Sequence, residues 1–138
     1  MSDTNRAIIR RYIEEVINKG NFSAIEEFVH PDYIFGSPNE EFQGADGLKE
    51  FIGAFRKAFP DLRIQVDDLA TEENKIVTCF TLTGTHKGDL MGIPATGKPV
   101  NVHGMILSRF KADKIIEEWE ILDQLAMFKQ LGLFSLPA

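Results

Sequence analysis

A carboxylate near the end of the chain is the first candidate for chemistry. Residues 115–123 alternate with the period of a β-strand, which places Asp123 on the same face as Trp119 and Ile121. Apolar neighbours disfavour the charged form of any carboxylate, so such a position suits a general acid or base. The alternative is structural, since residues 124–132 have the pattern of a helix closed by glycine, and aspartate is a preferred N-cap residue. The sequence leaves both roles open for Asp123.

Hydrophobic periodicity predicts the elements that must hold this strand. The clearest helix carries apolar residues at i, i+3, i+4, i+7 and i+11 from Leu48 to Phe59. Helices followed by period-two strands indicate an α+β fold, in which we expect the helices on one face of a curved antiparallel sheet. Nothing marks a linker or repeat, so residues 1–138 are predicted to form a single domain. The predicted helices run from a cap at residues 2–4 to Gly20, then over 22–29, 48–59 and 124–131, and the predicted strands cover 62–67, 76–85, 100–110 and 115–122.

Aromatic residues are abundant for a chain of this size. The sequence has 11 phenylalanines, which can fill a core or line a cavity for an apolar ligand. Phe55, in the apolar stripe of the third helix, is the ring that we expect in a pocket wall, and core packing is its alternative role.

Composition excludes several classes of partner. A net charge of −6 argues against nucleic acid or an anionic membrane surface. No apolar run approaches the roughly 20 residues that cross a bilayer. The single cysteine, Cys79, excludes an internal disulfide, suits a reducing compartment and is predicted to be buried, so we expect a cytoplasmic protein. The three histidines are too far apart in sequence for a strong metal-site prediction, so no metal is expected.

Several short segments then point to a known family. They are His30-Pro31-Asp32-Tyr33, Phe59-Pro60-Asp61-Leu62, Gly84-Thr85-His86-Lys87-Gly88, Gly92-Ile93-Pro94-Ala95-Thr96-Gly97-Lys98, Arg109, Lys114-Ile115, and Asp123 nine residues before Gly132. In this order and spacing the chain resembles the SnoaL-like polyketide cyclases, an ester-cyclase type within the NTF2-like superfamily, over nearly its whole length.

The resemblance implies a fold and a reaction. The fold would be the cone-shaped NTF2-like, or cystatin-like, arrangement, with helices covering a bent sheet around a deep pocket and a homodimer formed through the outer sheet face. The aspartate that matches Asp123 would be the acid/base of an intramolecular aldol condensation on an apolar carbonyl compound, without metal or cofactor. Such chemistry needs a base within reach of an acidic C–H and a pocket that folds the substrate.

The same resemblance suggests helpers for Asp123, each with a structural alternative. His86 would donate to a substrate carbonyl or stabilise a turn. Trp119 would desolvate Asp123 or belong to the core. Tyr33 would offer its hydroxyl or only pack, and Arg109 would stabilise an enolate or pair with a glutamate of the last strand.

The chain also departs from the family pattern, so other functions stay open. Gly36, Ser37 and Ile106 occupy positions near which relatives carry histidines, which removes polar partners from Asp123. One alternative is a non-catalytic NTF2-like module that binds a ligand or a protein. Another is epoxide-type ring hydrolysis, which would require a second carboxylate and Arg109 in the same cavity.

Overall fold

The computed structural model describes residues 2–133, and most of its helical segments precede the four long strands. The first helix, α1 (Ser2–Tyr12), continues as a π-helix (Ile13–Asn18). The other helical segments are a 3-10 turn (Phe22–Ala24), α2 (Ile25–Phe28), α3 (Gly44–Ala58) and α4 (Gln124–Gln130). The strands are β1 (Val29–Gly36), β2 (Glu41–Gln43), β3 (Arg63–Glu72), β4 (Lys75–Thr85), β5 (Pro99–Lys111) and β6 (Lys114–Leu122).

All of these strands join one curved sheet with the order β2-β1-β6-β5-β4-β3. Neighbours are antiparallel except β1 and β6, which run parallel. The antiparallel sheet expected from the sequence is therefore a mixed one. The parallel pair arises because β6 comes to lie beside β1 only after the chain has formed α3 and four other strands between them.

The predicted elements differ from the structure mainly near the N-terminus. The helix expected over residues 22–29 is a 3-10 turn followed by one short α-helix, and β1 and β2 were not predicted. Strands β4 to β6 and the terminal helix are confirmed within one residue, whereas β3 continues five residues beyond its predicted end at 67. The first helical segment ends at Asn18, two residues before the predicted stop at Gly20, which takes φ +73°. Within residues 2–133, no helix has both the length and the apolar character needed to cross a membrane.

The two faces of the sheet have different surroundings. On β4, Ile76, Thr78, Phe80 and Leu82 are buried, whereas the residues between them are half-buried. Helices α1 and α3 cover the first set, which we call the inner face. Cys79, predicted to be buried, lies half-buried on the opposite, outer face because its odd position on β4 points away from the helices.

Candidate active site

A cavity lies between the helices and the inner face of the sheet. Its volume is about 80 Å³, and its wall includes Ile9 and Tyr12 of α1, Phe51 and Phe55 of α3, and Ile106 of β5. Most of the lining is apolar. Because one water needs only about 10–15 Å³ of such space, the cavity can admit a small organic molecule.

Two carboxylates enter this cavity from β6. Glu118 and Glu120 are two positions apart on the strand, so both side chains project from the same face toward the helices. Leu122 follows them on the same face, whereas Trp119 and Ile121 project outward and are 45% and 65% exposed. The sequence predicts that the face of β6 with Trp119 and Ile121 packs against the core. In the structure the other face, with Glu118 and Glu120, is the inner one.

Hydrogen bonds fix Glu118 in place. The Tyr33 hydroxyl donates to its Oε1 at 2.8 Å, and the Ser108 hydroxyl donates to its Oε2 at 2.7 Å. Burial raises the pKa of Glu118, and these two hydrogen bonds oppose that rise. Burial and the charge of Glu118 hold the pKa of Tyr33 well above its usual range, so this phenol stays a donor.

Glu120 is half-buried, and its pKa is also raised. Burial, followed by the charge of Glu118, raises its pKa from 4.5 to about 8. At Glu118 hydrogen bonds counter the effect of burial, but none in the described part of the chain does so at Glu120. A carboxyl group with this pKa can release and accept protons near neutral pH.

Hydroxyl groups complete the polar lining of the cavity. Tyr12 is buried and close enough to Glu118 and Glu120 for their charges to add to burial in raising the pKa of its phenol. Thr78 is fully buried, and its hydroxyl has no hydrogen-bond partner among the described residues. The cavity thus combines two carboxylates, two hydroxyls and aromatic walls.

Asp123 lies outside this cavity. It is exposed and caps α4, where its Oδ1 accepts a hydrogen bond from the Ala126 N–H at 3.0 Å. The capping role expected for it is confirmed. The strand ends at Leu122, so the alternation that was extended to Asp123 stops one residue short of it. The catalytic role expected for Asp123 stays a prediction that these contacts do not support.

Two other predicted residues lie at the cavity or directly behind it. Phe55 is part of the cavity wall, and its ring packs edge-on against Phe51 with centroids 5.3 Å apart. Tyr33 is buried, and its hydroxyl reaches the cavity only through Glu118. Binding of a substrate by either residue stays a prediction.

The remaining three candidates are elsewhere. His86 is fully buried at the start of the loop after β4, where the Thr96 N–H donates to its Nδ1 at 3.2 Å. Arg109 pairs with Glu117 on the outer face, with Nε and Oε1 3.1 Å apart. The Trp119 indole N–H donates to the same glutamate at 2.7 Å. The structure therefore does not bring these three residues together with the cavity carboxylates.

Comparisons with known proteins agree with this architecture. The family model for SnoaL-like polyketide cyclases matches residues 7–131. Aklanonic acid methyl ester cyclase DnrD of Streptomyces peucetius is 28% identical over 130 residues, which cover 91% of this chain and 88% of that protein. Nogalonic acid methyl ester cyclase of Streptomyces nogalater is 25% identical over 119 residues, which cover 83% of this chain and 88% of that protein.

Solved structures show the same fold. AclR from Streptomyces galilaeus is 28% identical, with a TM-score of 0.84 over 96% of this chain and 84% of that one. A protein of the SnoaL-like polyketide cyclase type from Jannaschia sp. CCS1 is 22% identical, with a TM-score of 0.88 over 96% of this chain and 94% of that one. The expected NTF2-like fold is thereby confirmed, and because the family model spans most of the sequence, the chain belongs to the SnoaL-like polyketide cyclase family.

Proposed function

We propose that this protein is a cofactor-free enzyme that catalyses an intramolecular aldol reaction on an apolar carbonyl compound, with Glu120 as the acid/base. The observation that carries the proposal is a carboxyl group with a pKa of about 8 in the wall of an apolar cavity. Glu120 takes the role that the sequence suggested for Asp123. The relatives named as methyl ester cyclases of aklanonic and nogalonic acid support this class of chemistry.

The reaction balances with Glu120 alone as proton carrier. Its carboxylate removes a proton from the carbon beside a carbonyl, and the enolate carbon attacks a second carbonyl of the same molecule. A C–C bond forms, a C–H bond is lost, and the new alkoxide takes the proton back from Glu120. The product is an isomer of the substrate, so no external oxidant or reductant is needed.

The environment of Glu120 fits both halves of this cycle. With a pKa of about 8, roughly one tenth of the groups are ionised at pH 7, and the protonated form is a good donor to an alkoxide. The Tyr12 phenol, kept neutral by its raised pKa, is available to donate a hydrogen bond to the enolate oxygen. Glu118, held by Tyr33 and Ser108, keeps a fixed charge or dipole beside Glu120.

The two alternative functions have less support. Ring hydrolysis of the epoxide type needs an arginine beside two carboxylates, and Arg109 lies on the outer face in a pair with Glu117. Placing an acid where its pKa is strongly raised costs stability. A module that only binds a ligand or a protein gains nothing in return for this cost, whereas an enzyme gains an acid/base.

We also propose that the outer face of the sheet forms a homodimer interface. Two registered rows of mainly apolar side chains cross β4, β5 and β6 there. A groove of about 460 Å³ lies on this face, lined by five of these side chains together with Ser37, Pro38 and Glu120. Large exposed apolar surfaces of this kind mark interaction sites. The rows consist of Val77, Leu107 and Trp119, and of Cys79, Met105 and Ile121.

Proton abstraction can be tested with 2-tetralone, an apolar aromatic ketone. The measurement is the rate at which its benzylic α-protons exchange for deuterium, followed by NMR at pH 8. We expect catalysed exchange by the wild type and a loss of at least about 100-fold in Glu120→Gln. Asp123→Asn is the matched control, because it makes the same acid-to-amide change at the helix cap and should leave exchange unchanged.

Cyclisation can be tested with aklanonic acid methyl ester, the compound in the names of relatives. Product formed by the wild type and by Asp123→Asn, but not by Glu120→Gln, would support the proposal. If Asp123→Asn abolished exchange while Glu120→Gln retained it, the assignment of Glu120 would be refuted.

A further inference from the structure

Thr78 carries a buried hydroxyl in the cavity that the fold of residues 2–133 leaves without a hydrogen-bond partner. Thr78 has 0% exposure, lines the cavity, and offers a hydroxyl for which the described residues supply no partner. A buried hydroxyl without a partner destabilises a protein, and valine would fill nearly the same volume without that cost. A molecule bound in the cavity can supply the missing partner.

Its place in the sheet indicates what that use is. Thr78 pairs with Ile106, and Ile106 pairs with Glu120, so the three side chains form one row across the inner face. Neighbouring strands are about 4.8 Å apart, which puts Thr78 and Glu120 about 10 Å apart at the backbone. Ile106 between them offers no hydrogen bond, so a ligand over it meets a polar group only at either end of the row.

The spacing suits a carbonyl compound. Both side chains reach into the cavity, and each needs about 2.8–3 Å for a hydrogen bond or a proton transfer. The distance that remains between these two contacts matches a short fragment of a ligand, in which a C–H faces Glu120 and the neighbouring carbonyl oxygen faces Thr78. The apolar walls would hold the rest of such a molecule.

We propose that Thr78 is the carbonyl anchor of the substrate, donating a hydrogen bond to the oxygen whose α-carbon lies against Glu120. This inference rests on the proposed function and adds to it the substrate class: a compact apolar ketone with its acidic C–H directly beside the anchored carbonyl. Thr78 selects and orients the substrate, and the proton transfer itself belongs to Glu120.

The experiment compares two probes that differ in the carbonyl. 2-Tetralone has it, and tetralin is the hydrocarbon of nearly the same shape. Dissociation constants of both are measured for the wild type, Thr78→Val and Thr78→Ser, and their ratio gives the preference for the carbonyl. We expect the preference to fall about 3- to 10-fold in Thr78→Val through weaker binding of 2-tetralone, and to survive in Thr78→Ser, which keeps the hydroxyl.

The melting temperature of Thr78→Val provides a second test, because stability should not fall when binding of the ketone does. Because the hydroxyl has no partner among residues 2–133, Thr78→Val should melt at the same temperature as the wild type or a few degrees higher. A variant that binds the ketone less well yet is at least as stable would identify a ligand contact. A Thr78→Val protein that unfolds, or melts several degrees lower, would overturn the proposal by showing that the hydroxyl serves the structure.

The failure of the anchor can be told apart from the failure of the proposed function. An unchanged carbonyl preference in Thr78→Val, while Glu120→Gln still loses proton exchange, would overturn the anchor alone. If the wild type bound neither probe up to their solubility limits, the cavity would not be a site for apolar ketones, and both proposals would be overturned.

Discussion

The raised pKa of Glu120 makes a specific prediction about stability. Its pKa is about 8 in the folded protein and 4.5 when unperturbed, so between these values the folded state binds more protons than the unfolded state. Stability must then fall as pH rises through this window. The linkage relation, integrated with these two pKa values, gives the contribution of Glu120 to the free energy of unfolding. Ionisation of Glu120 makes the protein about 3 kcal/mol less stable at pH 7 than at low pH, and about 4–5 kcal/mol less stable at pH 9.

Glu120→Gln removes this titration while preserving the shape of the side chain. The variant should resemble the wild type in stability near pH 4.5, exceed it by about 3 kcal/mol at pH 7, and gain further at pH 9. Urea unfolding of both proteins at several pH values measures the difference directly, and the same samples should show that the stabilised variant has lost proton exchange.

Asp123→Asn is again the matched control. It makes the same chemical change at an exposed cap, and asparagine caps helices as well as aspartate does, so its stability should track the wild type across the pH range. The difference in free energy of unfolding between Glu120→Gln and the wild type should grow between pH 5 and pH 9. A constant difference would refute the reasoning, since it would show that Glu120 has the same pKa in the folded and unfolded chain.

Three further perturbations test the surroundings of the cavity. Tyr33→Phe removes the hydroxyl that donates to Glu118 at 2.8 Å, so urea unfolding at pH 7 should show a loss of about 1–3 kcal/mol; unchanged stability would mean that this carboxylate does not need the bond. Asp123→Ala should cost about 1 kcal/mol in the same assay, through the lost cap, and leave the exchange of 2-tetralone intact; impaired exchange would restore this residue to the mechanism. Ile121→Glu places a charge on the outer face and should halve the mass found by light scattering; a wild type that is monomeric at high concentration would exclude the dimer.

Sequence periodicity was a good guide where a segment has one pattern and a clear boundary. Strands β3 to β6 and helix α4 alternate or repeat cleanly and end at glycine or turn residues, so their positions could be predicted. The position of strand β1 could not be predicted, because Pro31 interrupts it and its partner β6 is about 80 positions away along the chain. Pairing at that distance leaves no local pattern to detect.

The candidate site was misplaced for a different physical reason. Trp119 and Ile121 are apolar, and glutamates are rarely buried, so the sequence favours the face of β6 that carries Trp119 as the inner one. The structure has the reverse arrangement, with Glu118 and Glu120 inside. Only the three-dimensional structure shows what stabilises Glu118 there, namely the hydroxyls of Tyr33 and Ser108, which come from other strands.

The inversion of β6 also links the two proposals for this protein. Placing glutamates inside costs stability, but it supplies an acid whose pKa lies near neutrality. The apolar side chains of the same strand are thereby left facing outward, where Met105 of β5 adds to a surface that suits a second copy of the chain. Burial of that surface in a dimer would offset part of the cost of the buried acids. A monomeric variant should therefore be less stable as well as smaller, although its cavity is unchanged.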